Sequence, residues 1–374
     1  MSSGDRKTPP TVQVVHTALS SRLGSVFWIL LVAVLIALPY WGDRETMRLF
    51  TEIYSFVALA SLWNLLAGYA GLVSVGQQAF VGLGGYTLYL CALWAGINPL
   101  LGLPLAGLVG GVISIPIVLL LLQLRGAYFA IGSWVVAEVF LQIFQLVPAV
   151  GGGSGISLPA AVVLSIARAR NLREFLIYWI FLGLAVAVIG VIVLLLRTRY
   201  GLALQAIRDN ETAAKSNGID VNRARMVVFV VSAAATAMVG SMIFLQKLSI
   251  TPFSAFSIND WTVNMIFITV IGGIGRVEGP IFGTVVYFVL RQFLADLAST
   301  YLIIFGLVAI GVMLKAPKGL WGYVADRFGW QLFPLARRLV RQAPLSAAGH
   351  PDGIRSDAPS IPLSASQAGK TTAL

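Results

Sequence analysis

Apolar residues occupy this chain in long, nearly unbroken blocks, at residues 26–41, 51–68, 79–97, 100–122, 127–147, 175–196, 226–247, 261–274, 279–297 and 300–315. Most approach the roughly 20 residues that a helix needs to cross a bilayer, and the block at 261–274 is short for a crossing. Residues 53–124 contain no Asp, Glu, Lys or Arg at all, a stretch long enough for about three crossings. The pattern predicts an all-α fold, a polytopic helix bundle of about ten membrane helices, eight at the fewest.

Composition agrees: 58% of residues are hydrophobic and 11% charged, whereas a soluble domain carries about a quarter charged residues. The net charge of +11 would suggest nucleic acid in a soluble protein, but its distribution excludes that partner. Lys and Arg outnumber Asp and Glu by three to one in residues 1–25, six to three in 197–225 and eight to three in 315–374. The positive-inside rule places all three segments in the cytoplasm, which an even number of crossings allows. Both termini are then expected on the cytoplasmic side of the membrane. Arg168, Arg170 and Arg173, near Glu174, fall outside in this topology. Either that loop lies in the interface or the helix count is off by a pair.

The expected organisation is a cytoplasmic segment 1–25, a membrane domain 26–316 with a charged insert at 197–225, an amphipathic interfacial segment 317–341 and a disordered tail 342–374. The block from residue 26 begins late and lacks a small-residue cleavage site after it, so it reads as the first membrane helix. The lone Cys91 lies in an apolar block and reads as a small buried hydrophobe.

Glycine interrupts the blocks at GYAGLVSVGQQAFVGLGGY (68–86) and GGIGRVEGP (272–280). Unpaired backbone survives at membrane depth only where protein or a water-filled cavity surrounds it, and broken segments in transporters line the pathway. Close helix packing is the alternative use of such glycines. Asn64, Ser74, Gln77 and Gln78 beside the first break offer uncharged hydrogen bonds to a passing solute, or packing contacts between helices. Glu138 sits mid-block, where a charged side chain costs at least about 2.5–3.5 kcal/mol. It faces protein or water, or is protonated, and either shapes a pathway or ties helices together. Gln142 and Gln145 share its face.

Within the insert, GLALQAIRDNETAAKS (201–216) favours a helix, with Glu211 and Lys215 as an i,i+4 pair and Gly218 suited to its C-terminal cap. Four stretches now carry a resemblance: LAGYAGLVSVGQQAFVGLGGY (66–86), LRGAYFAIGSWVVAEVF (124–140), the insert followed by VVFVVSAAATAMVGSM (227–242), and GGIGRVEGPIFGTV (272–285). The chain resembles the inner-membrane permease of bacterial ABC importers for branched-chain amino acids, the longer of the two permease types. The resemblance covers about residues 55–315 and implies that the insert is the coupling element for an ATP-hydrolysing subunit. It gives that role to Arg208, Asp209, Glu211, Ala213, Ala214, Lys215 and Gly218. The family's Glu-Ala-Ala followed by Gly is matched by Ala213, Ala214 and Gly218, while Thr212 stands in the Glu place and Glu211 one residue early.

The resemblance further implies a second permease subunit, two cytoplasmic ATP-binding subunits and a periplasmic solute-binding protein as partners, besides the lipid bilayer. The chain itself is expected to be non-catalytic, without cofactor or metal. His16 and His350 lie in the polar ends, and SASQAGKT (364–371) lacks the first Gly of a phosphate-binding loop and any helix after it. GGGSG (151–155) lacks a base and reads as a loop. Branched-chain or other hydrophobic amino acids are the implied solutes, with urea or short amides as the family's alternative. A stand-alone secondary transporter is the competing class; it would have Glu138 as its single deep carboxylate.

Overall fold

The computed structural model describes residues 12–15, 28, 30–167, 169–294, 300–316, 319–328 and 338–341. Two units separate. The smaller, drawn from residues 1–16 and 336–374, contains one antiparallel ladder of β1 (Val12–Val15) and β4 (Arg338–Arg341), with Val12 opposite Arg341. The tail at 342–374, the histidines and the SASQAGKT stretch lie outside the described residues.

The larger unit is helical. Its helices are α1 (Leu30–Tyr40), α2 (Arg44–Asn64), α3 (Gln78–Leu93), α4 (Pro99–Leu121), α5 (Ala127–Leu146), α6 (Ala160–Ile166), α7 (Arg170–Arg197), α8 (Arg199–Asp209), α9 (Glu211–Ser216), α10 (Val221–Lys247), α11 (Pro252–Ala255), α12 (Asn264–Gly272), α13 (Gly279–Leu294), α14 (Thr300–Lys315) and α15 (Gly319–Phe328). Each of the ten apolar blocks falls on a helix. Among the described residues, seven helical stretches are long and apolar enough to cross a membrane, and α1, α3 and α13 are shorter apolar helices. The chain is a multi-pass α-helical bundle.

The short block at 261–274 lengthens in the structure. Thr251 and Ser254 form a reciprocal capping box that starts α11, a π-helical stretch Ile258–Val263 follows, and the whole runs from Pro252 to Gly272. Polar caps set other boundaries. The Asn98 side chain accepts from the Leu100 amide, Asp220 accepts from the Arg223 amide, and Leu248 in the left-handed conformation closes α10. A two-residue ladder of β2 (Ile156–Ser157) and β3 (Ser249–Ile250) ties the loop after α5 to the end of α10.

The centre of the bundle is α2 with α10. In the most apolar window of the α2 stretch 78% of residues are buried, against 17% in α5, so α2 is a core helix and α5 a peripheral one. Lipid gives no hydrophobic drive to helix association, so small residues and hydrogen bonds do the holding. A Cβ on Gly84 of α3 would overlap the Ala237 carbonyl of α10, and one on Gly240 would overlap the Val81 carbonyl; the two backbones meet through glycine. Gly107 and Gly110 of α4 instead make room for the side chains of Met238 and Ala237. Tyr54 and Tyr178 share a 2.7 Å hydrogen bond, and the Tyr178 hydroxyl also donates to the Leu35 carbonyl, which joins α1, α2 and α7. Cys91 is a half-buried free thiol.

Candidate functional site

The first glycine stretch is a true helix break. After α2 the backbone widens into an underwound π-helical turn, Leu65–Tyr69, then runs without regular structure to Gln77 before α3 begins. Gly71 takes φ +67° within it, a conformation that side chains resist. Unwound backbone needs partners, and side chains supply them. The Ser74 carbonyl accepts from Trp63 Nε1 at 2.8 Å, and the Val75 amide donates to Ser133 Oγ of α5 at 2.9 Å. The Gln78 amide donates to Thr262 Oγ1 at 3.3 Å.

Ser74, Gln77 and Gln78 are all buried at this break and make two sets of hydrogen bonds. Gln77 donates to Ser74 Oγ and accepts from Thr236 of α10, each at 3.4 Å. Thr262 donates to Gln78 Oε1. Gln78 Nε2 has no acceptor among the described residues, although the side chain is fully buried. An unmatched buried donor costs about 1–3 kcal/mol, so Gln78 keeps one hydrogen-bonding group unused.

Asn64 has a different task. Its Oδ1 accepts from the Gly275 amide at 2.8 Å and its Nδ2 donates to the Arg276 carbonyl at 2.8 Å, so it clamps the second glycine stretch against the first. The approach is close: a Cβ on Gly68 would stand 2.5 Å from the Gly275 nitrogen. Gly273 and Gly275 take φ of +126° and +79° in that turn. The two breaks far apart in sequence thus form one structure.

The insert grips this structure. It is not one helix over 201–216 but two, because Asn210 adopts an extended backbone and caps α9 by accepting from the Ala213 amide at 3.0 Å. Glu211 pairs with Lys215 at 2.7 Å and with Arg225 of α10 at 3.1 Å. Gly218 takes φ +79° and, with Ile219, bonds back to the Lys215 and Ala214 carbonyls, as its capping position requires. Arg225 Nε donates to the Ala70 carbonyl at 3.2 Å, and an Arg208 guanidinium N–H donates to the Gly68 carbonyl at 3.3 Å. Two arginines of the insert region thus hold carbonyls that the helix break left free. Arg225 was absent from the residues singled out in the sequence; a cation facing an unwound turn 155 residues away has no local signature.

Electrostatics favour this arrangement. Lys215, through its hydrogen bond, holds the Glu211 carboxyl below its ordinary value, partial burial opposes this, and Arg225 lowers it further. Ala214 is buried, while Asp209, Ala213, Lys215 and Gly218 are exposed beside Thr212. A small groove of about 330 Å³ between α8 and the start of α10 is lined by Tyr200, Ala203 and Arg223 among others.

Glu138 stands apart. It is half-buried on α5, and its Oε1 accepts from Trp134 Nε1 one turn earlier at 3.0 Å. Gln142 beside it is exposed. Among the described residues no cluster of three His, Cys, Asp or Glu is placed to hold a metal.

The comparisons place this architecture. The family model for the permease component of branched-chain amino acid transport systems matches residues 46–316. The high-affinity branched-chain amino acid transport permease proteins LivM of Salmonella typhimurium and of Escherichia coli are each 26% identical over 317 residues, covering 79% of this chain and 74% of theirs. A probable LivM permease of Methanocaldococcus jannaschii is 26% identical, over 65% of this chain and 78% of its own. No solved structure matches. With two glycine breaks clamped together beneath a charged insert and a family match across most of the membrane unit, the chain belongs to the permease components of branched-chain amino acid transport systems.

Proposed function

We propose that this permease is one half of the membrane pathway of an ATP-driven importer for branched-chain amino acids in the bacterial inner membrane, with its insert and both termini in the cytoplasm. A second permease subunit completes the pathway, two ATP-binding subunits dock beneath, and a periplasmic solute-binding protein delivers the amino acid. The chain contributes no catalytic group of its own. The observation that carries the reading is the pair of arginine contacts from Arg208 and Arg225 to the Gly68 and Ala70 carbonyls.

The coupling route follows from these contacts. The exposed side of α8 and α9, with Asp209, Ala213, Lys215 and Gly218, receives the ATP-binding subunit. Ala214 and the Glu211–Arg225 pair transmit its displacement into α10 and the π-helical turn. That turn leads directly to Ser74, Gln77 and Gln78, whose hydrogen bonds to Thr236 and Thr262 are uncharged and readily exchanged for solute or water. Gln78 Nε2 is the donor offered to the passing amino acid, and Asn64 keeps the second break moving with the first. Glu138, half-buried on a peripheral helix, belongs on the side covered by the second permease, because a carboxyl group facing lipid is costly.

Photo-crosslinking tests the docking. A crosslinker at exposed Thr212 is expected to capture an ATP-binding subunit in native membranes, while one at exposed Leu307 of α14 is expected to capture none. Equal yields at both positions would remove the docking role from the insert.

A further inference from the structure

Two of the three arginines that the charge rule left outside, Arg170 and Arg173, have a structural context. Helices α7 and α10 contain 28 and 27 residues, each about 40 Å long at 1.5 Å per residue. The insert lies between the C-terminus of α7 and the N-terminus of α10, so the opposite ends of these helices form the far end of the bundle. There a cavity of about 970 Å³ opens between α2, α7, α10, α13 and the π-helical stretch before α12. Arg168 lies outside the described residues, but Arg170 and Arg173 line this cavity with Arg44, Arg48, Lys247 and Arg291.

Its charge is unbalanced. The acidic groups in the lining are Glu52, Glu174 and Asp260. Glu174 is shared by Arg44 at 3.3 Å and Arg170 at 3.2 Å, and Glu52 pairs with Arg291. Arg48, Arg173 and Lys247 have no carboxylate within ion-pair distance among the described residues. Lys247 instead lies over the Trp261 ring, 4.8 Å from its centroid. Beneath the cations the buried lining is mainly apolar, with Phe56, Ile243, Leu245 and Trp261 bordering the cavity alongside the hydroxyls of Thr51 and Ser55.

Cations at a rim above an apolar floor match one chemistry, an anionic head on a short apolar body. The volume lies at the upper end of the roughly 300–1,000 Å³ of small-molecule sites, which leaves room for a hydrated solute. Bidentate arginine contacts favour carboxylate strongly over uncharged amide. We propose that this cavity is a solute vestibule that recognises a carboxylate attached to a short apolar side chain, and so admits amino acids in preference to urea or neutral amides. Arg48 and Arg173 receive the carboxylate, Asp260 faces the ammonium group, and the apolar floor takes the side chain. The inference rests on the importer reading above and deepens its choice of solute.

Saturation-transfer NMR of leucine on the purified full-length chain in phosphatidylcholine nanodiscs tests it. Leucine methyl signals are expected, with competition by 4-methylpentanoate and none by leucinamide, which lacks the carboxylate. Arg48→Gln with Arg173→Gln removes cations that hold no internal ion pair, so folding persists, and affinity is expected to fall at least about tenfold, the scale of one charge-assisted hydrogen bond. Arg48→Lys with Arg173→Lys is expected to restore part of it. Equal competition by leucinamide, or unchanged affinity in the double Gln variant, would overturn the proposal. Nanodiscs of phosphatidylglycerol separate the other source of an anionic head: a leucine signal retained there supports the vestibule, and one abolished there assigns the cations to lipid and overturns it. Co-purification of ATP-binding subunits is read separately, so failure of the vestibule and failure of the importer reading remain distinguishable.

Discussion

Replacing Arg225 by Met removes the contact that joins the insert to the helix break while keeping an unbranched side chain in α10. Arg225 is 18% exposed, and it holds both the Ala70 carbonyl and Glu211. A charge-assisted hydrogen bond in such a setting contributes about 1.5–3 kcal/mol. The pair with Glu211, itself 40% exposed, adds no more than about 1 kcal/mol after solvent screening. Together they make about 2–4 kcal/mol of attachment between the insert and the π-helical turn. If that attachment transmits the power stroke, the lower end already corresponds to about a 30-fold loss of the coupled state, since 1.4 kcal/mol is tenfold. The assay is the ratio of amino acid taken up to ATP hydrolysed by the importer reconstituted in liposomes. ATP turnover is expected to continue while uptake per ATP falls at least tenfold, with Arg225→Lys in between. Unchanged uptake per ATP in Arg225→Met, with the subunits still assembled, would refute the route.

Further outcomes follow from other contacts. Because the Glu211 carboxyl is held below its ordinary value, its contribution to the seating of α9 is full above the unfolded carboxylate value and fades as pH falls through the lower folded one. Hydrogen exchange in α9 is expected to quicken only in that acid window, and Glu211→Gln is expected to abolish the dependence. Gly240→Val drives a side chain into the Val81 carbonyl; overpacking of this kind costs at least about 1–3 kcal/mol, and a lowered thermal midpoint in detergent checks it. Glu138→Gln leaves only the Trp134 contact to change, so the isolated chain is expected to keep its midpoint while pairing with a second permease weakens, measured by co-purification yield. Loss of fold in Glu138→Gln would instead place that residue in the protomer's own core.

Much of the bundle was legible because membrane helices announce themselves by length and apolarity. The blocks at 100–122 and 127–147 match α4 and α5 within two residues at each end, since lipid leaves no other way to satisfy the backbone. Boundaries failed where polar side chains set them: the capping box at Thr251 carried one stretch nine residues upstream of the apolar block, and Asn210 divided the insert in two. Both residues are ordinary loop formers in sequence, and each signal is local to a single hydrogen bond. At the site, the first glycine stretch is unwound backbone, with Gln77 bonded to Ser74 and Thr236 and Gln78 bonded to Thr262. Asn64 turned out to clamp loop backbone, and Glu138 stood away from the group. Long-range partners such as Arg225 with Ala70, or Arg173 with Lys247 around one cavity, have no spacing that a sequence can show.

The central claim is that the insert exists to be moved by an ATPase, and its most direct test is mass spectrometry of what co-purifies with the tagged full-length chain from native membranes in mild detergent. Recovery of a second permease with two ATP-binding subunits, and loss of those ATP-binding subunits when residues 201–216 are deleted, is the result this account predicts. An ATPase-free homo-oligomer, or ATP-binding subunits retained without the insert, would contradict it.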